Sequence, residues 1–167
     1  MKHSYPYHGS EIAIIGVSAR FPGADSVDEF WQNLCLQREG IRFFSDEELT
    51  AVGVNESLLK DPAYVRAKGV VRECNDFDAA FFSYSDREAG LMDPQLRLYH
   101  ECAWHALEDS GYSGRNTNHL IGIFGGASAN ALWTAQYAEI AAQGGAAAYE
   151  VINVISRDFF PKINTSL

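Results

Sequence analysis

The sequence predicts an α/β fold with a mostly parallel sheet, because apolar strand-like runs alternate with segments of helical periodicity. Residues 12–17 and 121–124 are continuous apolar runs rich in β-branched side chains, which is typical of strands buried on both faces. Between them, residues 85–112 contain two helix starts in direct succession. Only these two strands are convincing, and a parallel sheet needs more strands to be covered on both faces. The predicted fold is therefore an incomplete α/β fold.

Size and charge predict a globular protein with one core. The 167 residues suffice for a single domain, and 47% hydrophobic with 21% charged residues is ordinary for a soluble chain. The 22 acidic and 13 basic residues give a formal net charge of −9. This balance argues against nucleic acid and against an anionic membrane as partners, since both require a basic surface.

The cysteines and the apolar segments predict a cytoplasmic protein. Cys35, Cys74 and Cys102 are widely spaced and odd in number, so we expect a reduced chain in which each is a small buried apolar side chain. Residues 12–17 are too short for the apolar part of a signal peptide. The alanine-rich residues 127–148 contain too many polar side chains and glycines to span a membrane.

Capping signals predict the first helices. Residues 1–10 are interpreted as a linker or frayed terminus. Residues 26–29, with serine first and glutamate fourth, predict a capping box that opens a helix ending near Gly40. Residues 45–48 repeat this pattern and predict a short helix ending at Gly53.

The next stretch is predicted from turn, strand and aromatic signals. The Asp-Pro pair at residues 61–62 marks a turn. Val70 and Val71, flanked by charge within residues 65–74, suggest a short exposed strand or a hairpin arm. An aromatic cluster that belongs to the core is formed by Phe77, Phe81 and Phe82.

Residues 85–112 are the best-specified stretch. Ser85 and Glu88 form a predicted capping box, and Asp93 before Pro94 predicts a second helix start. Gly111 is expected to end this helix. Its apolar face is formed by Leu96, Tyr99, Ala103, Ala106 and Leu107. Its polar face is formed by Arg97, Glu101, His105 and Glu108, with an expected i,i+4 pair between Arg97 and Glu101.

Two more helical segments follow the second apolar run. Residues 129–142 predict a helix, which Gly144 and Gly145 interrupt. Residues 151–160 predict another apolar helix, and residues 162–167 are interpreted as an irregular tail.

The chemical motifs are weak when they are considered one at a time. Cys102 and His105 lie one helical turn apart, but a structural zinc site needs four ligands, so helix packing is the preferred interpretation. Residues 126–130 resemble a nucleophile elbow that lacks its second glycine. They can also form a strand-to-helix turn whose free N–H groups face a ligand. Gly16 and Gly23 do not complete a dinucleotide-binding motif.

Taken together, four ordered motifs resemble the ketosynthase domain of modular polyketide synthases, in the β-ketoacyl synthase family. They read IAIIGVSARFPGA (residues 12–24), DEFWQNL (28–34), FDAAFFSYSDREAGLMDPQLRLYHECAWHALEDSGY (77–112) and IGIFGGAS (121–128). The resemblance covers residues 11–161 and implies the N-terminal half of a thiolase-like layered α/β/α fold.

The family resemblance implies decarboxylative Claisen condensation of acyl thioesters, in polyketide or fatty acid biosynthesis. The nucleophilic cysteine and two histidine motifs of this acyltransferase family match no segment of the chain, so no catalytic residue is assigned and we expect the chain to be inactive alone. Residues 93–98 are expected to position the pocket helix. The expected border of the acyl pocket is formed by Gly125, Gly126, Ala127, Ser128, Asn130, Phe159 and Phe160.

The resemblance also implies partners. No cofactor or metal is expected in this chain, and phosphopantetheine would reside on a separate acyl carrier protein. Other polyketide synthase domains are expected partners, and the family forms homodimers. Two alternatives remain: a non-catalytic interaction piece that packs on a ketosynthase or carrier protein, and a small nucleotide-binding α/β protein.

Overall fold

The computed structural model describes residues 9–112, 121–128 and 130–142. The predicted break at Gly144 and Gly145 and the segments predicted over residues 151–160 and 162–167 lie outside these ranges. The described elements are, in order, α1 (Val27–Cys35), β1 (Ile41–Phe43), α2 (Asp46–Ala51), α3 (Glu56–Leu59), β2 (Ala67–Gly69), α4 (Asp86–Leu91), α5 (Pro94–Asp109) and α6 (Ala131–Ala142).

The sheet within the described residues has two short antiparallel strands. β1 pairs with β2, so that Ile41 lies opposite Gly69 and Phe43 lies opposite Ala67. A short strand, β2, does lie within residues 65–74 as predicted, but it ends at Gly69, before Val70 and Val71, on which the prediction rests. It pairs with β1 across α2 and α3 and not with an adjacent arm. The sequence does not predict β1, because three residues are too few to show an alternating pattern.

The strands predicted at residues 12–17 and 121–124 are wrong for the described structure. Both runs are irregular, and no described residue pairs with them in a sheet. Ile12 is 94% exposed and Phe124 is 95% exposed. The physical reason is that a strand, unlike a helix, takes its backbone hydrogen bonds from a neighbouring segment. The mostly parallel sheet is likewise absent from the described ranges.

The first two predicted helices begin where their capping signals lie. The Ser26 hydroxyl accepts a hydrogen bond from the N–H of Glu29 at 3.1 Å. The Glu29 carboxylate accepts from the N–H of Asp25 and not of Ser26, so this box is displaced by one residue. α1 ends at Cys35, before the predicted end near Gly40. The box at residues 45–48 is complete and starts α2 as predicted.

The two successive helix starts in residues 85–112 are confirmed. Ser85 and Glu88 exchange side-chain and backbone hydrogen bonds at the start of α4. The Asp93 carboxylate accepts from the N–H of Gln95 at 2.9 Å, and Pro94 is the first residue of α5. These caps satisfy N–H groups that have no partner inside their helices.

The end of α5 is fixed by a Schellman motif. The N–H of Tyr112 donates to the carbonyl of Leu107 and the N–H of Gly111 donates to that of Glu108, each at 3.0 Å. Gly111 has a φ of 75°, which is the left-handed conformation that glycine adopts without strain. The predicted terminating role of Gly111 is confirmed.

The predicted faces of α5 are partly wrong. Arg97 belongs to the predicted polar face, but it is buried, as is His100. The pair expected between Arg97 and Glu101 does not form, because Arg97 bonds to backbone carbonyls and the Glu101 carboxylate lies 3.8 Å from the Arg20 guanidinium. The polar face therefore begins one turn later than the sequence indicates.

The core lies between α4, α5 and the segment before them. Phe82 of the predicted aromatic cluster is buried in it and Phe77 packs against it, but the core prediction is wrong for Phe81, which is 48% exposed. Phe77 stacks on Phe82 with ring centroids 5.1 Å apart, and Phe81 meets Trp104 edge-on at 4.8 Å. The buried core residues are Ala79, Phe82, Tyr84, Ala89 and Met92.

His100 is enclosed by this core. It is 1% exposed, and its Nδ1 and the carbonyl of Leu96 are 2.7 Å apart. A carbonyl can only accept, so Nδ1 carries a proton, and the Tyr84 hydroxyl lies 3.2 Å from Nε2. The histidine thereby ties α5 to the segment that precedes α4.

Candidate functional site

The segment 124–128 is held against the first turns of α5 by side chains of that helix. The Tyr99 hydroxyl donates to the carbonyl of Phe124 at 3.3 Å. Burial raises the pKa of Tyr99, so the phenol keeps its proton and remains a donor. Gln95 Oε1 accepts from the N–H of Ser128, and Gln95 Nε2 donates to the Ser128 carbonyl, both at 3.2 Å.

Asp93 orients the amide of Gln95. Asp93 Oδ1 caps α5 by accepting from the Gln95 N–H, while Asp93 Oδ2 accepts from Gln95 Nε2 at 3.2 Å. An amide nitrogen has two hydrogens, so one can serve Asp93 and the other Ser128. A single aspartate thus starts the helix and fixes the side chain that binds the segment.

The start of α6 is fastened to the junction between α4 and α5. Asn130 Oδ1 accepts from the N–H of Trp133 at 3.2 Å, which is an N-cap bond. The Trp133 indole N–H donates to the carbonyl of Leu91 at 2.9 Å. The Arg97 guanidinium lies 6.0 Å from the Trp133 ring centroid, at the limit of a cation–π contact.

Arg97 holds the same junction from inside. It is 8% exposed, and its guanidinium donates to the carbonyls of Met92 at 3.2 Å, Asn75 at 3.1 Å and Gly90 at 3.5 Å. A guanidinium has five donors in a fixed plane, so it can serve several carbonyls at once. Arg97 therefore sets how α4 turns into α5.

The structure describes five of the seven predicted pocket residues, and these five are close together in the chain. Gly125, Gly126, Ala127 and Ser128 are exposed, and Asn130 is half-buried at the start of α6. A side chain built at Gly126 would meet no atom within 4 Å. Phe159 and Phe160 lie outside the described residues. The pocket role of all these residues stays a prediction.

Sequence reasoning includes Gln95 and Arg97 in residues 93–98, which it expects to position the pocket helix, but it does not predict their contacts. It misses Trp133. The sequence contains one usable signal, since the glutamine directly follows an Asp-Pro helix start and must therefore lie in the first turn. The partners of Arg97 and Trp133 are backbone carbonyls, which no residue pattern reveals.

The three cysteines differ in exposure. Cys35 is exposed, so the prediction that it is buried is wrong, whereas Cys74 and Cys102 are partly buried. Burial raises the pKa of the Cys102 thiol, and a hydrogen bond with Ser18 offsets part of that shift.

No group of three potential ligands that could hold a metal is found in the described part of the chain. Nor is any helix described there long and apolar enough to cross a membrane.

A charged cluster lies between α1 and the segment that follows β2. The Arg72 guanidinium lies 3.1 Å from the Asp25 carboxylate and 3.4 Å from the Glu29 carboxylate. The hydrogen bond from the Asp25 N–H lowers the pKa of Glu29, and Arg72 lowers it further. Both acids of this cluster are matched by the arginine, so the cluster is interpreted as a structural tie.

Comparison with known proteins gives one consistent family. Residues 9–161 match the family model described as "Beta-ketoacyl synthase, N-terminal domain". The chain is 44% identical over 117 residues to a phenolphthiocerol/phthiocerol polyketide synthase of Mycobacterium tuberculosis, and the match covers 70% of the chain and 8% of that protein. It is 46% identical over 107 residues to polyketide synthase PksN of Bacillus subtilis, covering 64% of the chain and 2% of that protein.

A solved structure agrees with these relatives. Ketosynthase twelve from the bacillaene polyketide synthase of Bacillus amyloliquefaciens superposes with a TM-score of 0.53 at 45% identity. The superposition covers 57% of this chain and 17% of the ketosynthase chain. The chain therefore spans a small part of each protein that it matches.

Proposed function

The chain belongs to the β-ketoacyl synthase family, and from that premise we propose that it supplies one wall of the acyl pocket in a polyketide ketosynthase. By family resemblance, the acyl chain would be carried as a thioester on a cysteine, where it meets the carbanion formed by decarboxylation of a malonyl extender. No residue of this chain matches that cysteine or the two histidines. Its own contribution would be to shape and hold the pocket border.

The observation that carries this proposal is the attachment of segment 125–128 to α5 through Gln95. The segment consists of small residues that project no bulky side chain, and its backbone is tied at Ser128. Small residues leave room for a flexible acyl chain, and a fixed backbone gives the border a defined shape, as in pockets that are largely pre-formed. Nearby, Asn130 fixes the start of α6.

The proposed partners follow from the same premise. The acyl and malonyl groups would arrive on phosphopantetheine, carried by a separate acyl carrier protein. Other polyketide synthase domains and a second copy of the ketosynthase would complete the assembly, in the cytoplasm. The net charge of −9 supports protein partners over nucleic acid.

A hybrid ketosynthase tests this function. Residues 9–161 would replace the homologous part of the Bacillus amyloliquefaciens ketosynthase, and the hybrid would be incubated with an acyl thioester. We expect intact-mass spectrometry to show one acyl group per hybrid, and none after alanine replaces the host's nucleophilic cysteine. A folded hybrid that takes no acyl group would contradict the proposal.

The chain by itself gives a second test. We expect no acylation when it is incubated with the same thioester, because no cysteine matches the nucleophile motif of the family and burial raises the pKa of the Cys102 thiol. Stoichiometric acylation at Cys35, Cys74 or Cys102 would show that the chain has a nucleophile of its own.

A second candidate function is an interaction piece that packs on a ketosynthase or a carrier protein. The exposure of Ile12 (94%), Ile14 (89%) and Ile15 (60%), which are close neighbours in one run, favours it, since grouped exposed apolar side chains mark contact sites. Stable co-purification of the chain with a complete ketosynthase would support this function. If the chain and the ketosynthase always elute separately, this function is contradicted.

A further inference from the structure

We infer that Gln95 is a positioning residue that fixes the backbone of segment 125–128 and thereby sets which acyl chains the pocket admits. The inference rests on the proposed function and deepens it, because it assigns the selectivity of the border to one side chain of α5. Gln95 itself would touch neither substrate nor cofactor.

The contact between Gln95 and Ser128 has a two-point geometry. Gln95 Oε1 accepts from the Ser128 N–H and Gln95 Nε2 donates to the Ser128 carbonyl, each at 3.2 Å. One planar amide thus meets both backbone groups of one residue, as a neighbouring strand would. A single bond would leave Ser128 free to rotate, whereas two bonds fix both its distance and its orientation.

Asp93 fixes the side-chain amide of Gln95 in one of its two flipped orientations. An ionised carboxylate can only accept hydrogen bonds, so Asp93 Oδ2, at 3.2 Å, selects the nitrogen side of the amide. The oxygen Oε1 then remains for the Ser128 N–H. Asp93 also caps α5, so the position of the amide is fixed relative to a 16-residue helix and not relative to another loop.

The Gln95 contact lies between two other attachments of the segment. The Tyr99–Phe124 bond holds one end, and the bond from Trp133 to the Leu91 carbonyl holds the other. Between them lie two glycines, whose backbones have the widest conformational freedom. Gln95 is the side chain that removes this freedom at the middle, while the ends can persist without it.

Loss of this contact should change selectivity without loss of the fold. Gln95 is partly exposed in the first turn of α5, and its substitution creates no large cavity in the core. We therefore expect Gln95→Leu to fold, with a border that samples more backbone conformations. A looser border would distinguish less well between short and long acyl chains.

Amide exchange of Ser128 in the full chain tests the positioning itself. In Gln95→Leu, we expect the Ser128 amide to exchange roughly fivefold faster, the factor that one net hydrogen bond provides. Gln95→Glu puts a carboxylate against the Asp93 carboxylate and the Ser128 carbonyl, which are both acceptors, so it should accelerate exchange about as much as Gln95→Leu. The control is Gln32→Leu, which removes an exposed glutamine of α1 and should leave the rate unchanged. An unchanged rate in Gln95→Leu would overturn the inference.

Acyl loading of the hybrid ketosynthase tests the consequence. The readout is the ratio of loading rates for a long-chain and a short-chain acyl thioester. We expect Gln95→Leu to change this ratio by up to about tenfold, the lower end of the discrimination that one methylene gives in an apolar pocket, while Gln32→Leu leaves it unchanged.

The two failures can be told apart. If the unmodified hybrid loads acyl groups and Gln95→Leu leaves the ratio unchanged, the inference is overturned and the proposed function stands. If the folded unmodified hybrid loads neither thioester, the proposed function fails and the selectivity role fails with it.

Discussion

The block formed by residues 77–112 and the run 12–17 are both apolar, yet they differ in burial. In the block, Met92 is fully buried and Phe82 is 6% exposed, whereas Ile14 in the run is 89% exposed. The block consists mainly of helices, whose backbone hydrogen bonds are internal and whose ends are capped locally. The run has strand character, and a strand depends on a neighbour that can be distant in sequence. Local signals therefore suffice to start and end the helices of the block, but they do not suffice to make the run a strand.

The two exposed runs nevertheless lie at the same face of α5. Residues 13–16 and Ile121 line one cavity of about 480 Å³ together with Leu107 and Tyr112. At Gly16 the backbone lies so close to Ala106 that a side chain would collide with its carbonyl. The runs are thus placed where a sheet would cover α5, without the pairing that would make them strands.

The largest difference in the free energy of unfolding is expected between alanine substitutions in the core and in the run. Met92→Ala should lower the free energy of unfolding by about 2–5 kcal/mol, because it leaves a cavity in a packed core. Ile14→Ala should change it by less than about 0.5 kcal/mol, because the side chain is already in water. Urea denaturation of both variants measures the difference. Equal losses would mean that the run is buried in solution.

A slightly smaller effect is expected from Arg97. Arg97→Met removes the donors from three carbonyls at the junction of α4 and α5, and should cost about 2–3 kcal/mol, the scale of hydrogen bonds to a charged group. The matched control is Arg38→Met, an exposed arginine just after α1, which should be nearly neutral. If both variants unfold at the same denaturant concentration, the buried guanidinium does not hold the junction.

The same contrast explains what the sequence could predict. Ser85, Glu88 and Asp93 reveal their helices because caps act within three residues. The aromatic core is confirmed for Phe77 and Phe82, which are close in sequence, but not for Phe81. The family and its fold class can be predicted without any knowledge of the local structure. Ordered motifs identify the N-terminal part of a ketosynthase, of the thiolase-like fold, and the solved ketosynthase confirms it.

Contacts that cross the chain could not be predicted. Arg97 is buried because the carbonyls of Asn75 and Gly90 converge on it, and no side-chain pattern encodes that convergence. The clamp between Gln95 and Ser128 spans 33 residues. Sequence reasoning therefore proposes a pocket border at residues 125–128 but not the side chain that holds this segment.

Two matched caps should separate the block from the periphery. Ser85→Ala should lower global stability by about 1 kcal/mol, because α4 contributes Ala89 to the core. Ser45→Ala breaks an equally complete capping box, but α2 buries no residue, so its loss should stay local. Hydrogen exchange should then accelerate in α2 alone, while the denaturation midpoint stays the same. A global loss in both variants would contradict the comparison.

The smallest effects are expected from two glutamates whose pKa values shift in opposite directions. The hydrogen bond from the Ser45 N–H lowers the pKa of Glu48, and the contact with Arg42 adds to the shift. A lowered pKa in the folded state contributes stability that is present above the unfolded-state pKa and lost as the pH falls through the folded-state value. Glu48→Gln should therefore be less stable than the unmodified chain at neutral pH, and the two stabilities should become equal in acid.

Glu101, which lies on α5 within the block, should show the opposite sign. Burial raises its pKa, and Arg20 offsets only part of that shift. Because the folded state then binds the proton more tightly than the unfolded state, stability falls as the pH rises from the unfolded-state pKa through the raised folded-state pKa. Glu101→Gln removes this slope, so its stability relative to the unmodified chain should improve with rising pH across that window. NMR titration of the two carboxyl groups measures the shifts directly, and two shifts of the same sign would mean that burial does not distinguish the block from the capped periphery.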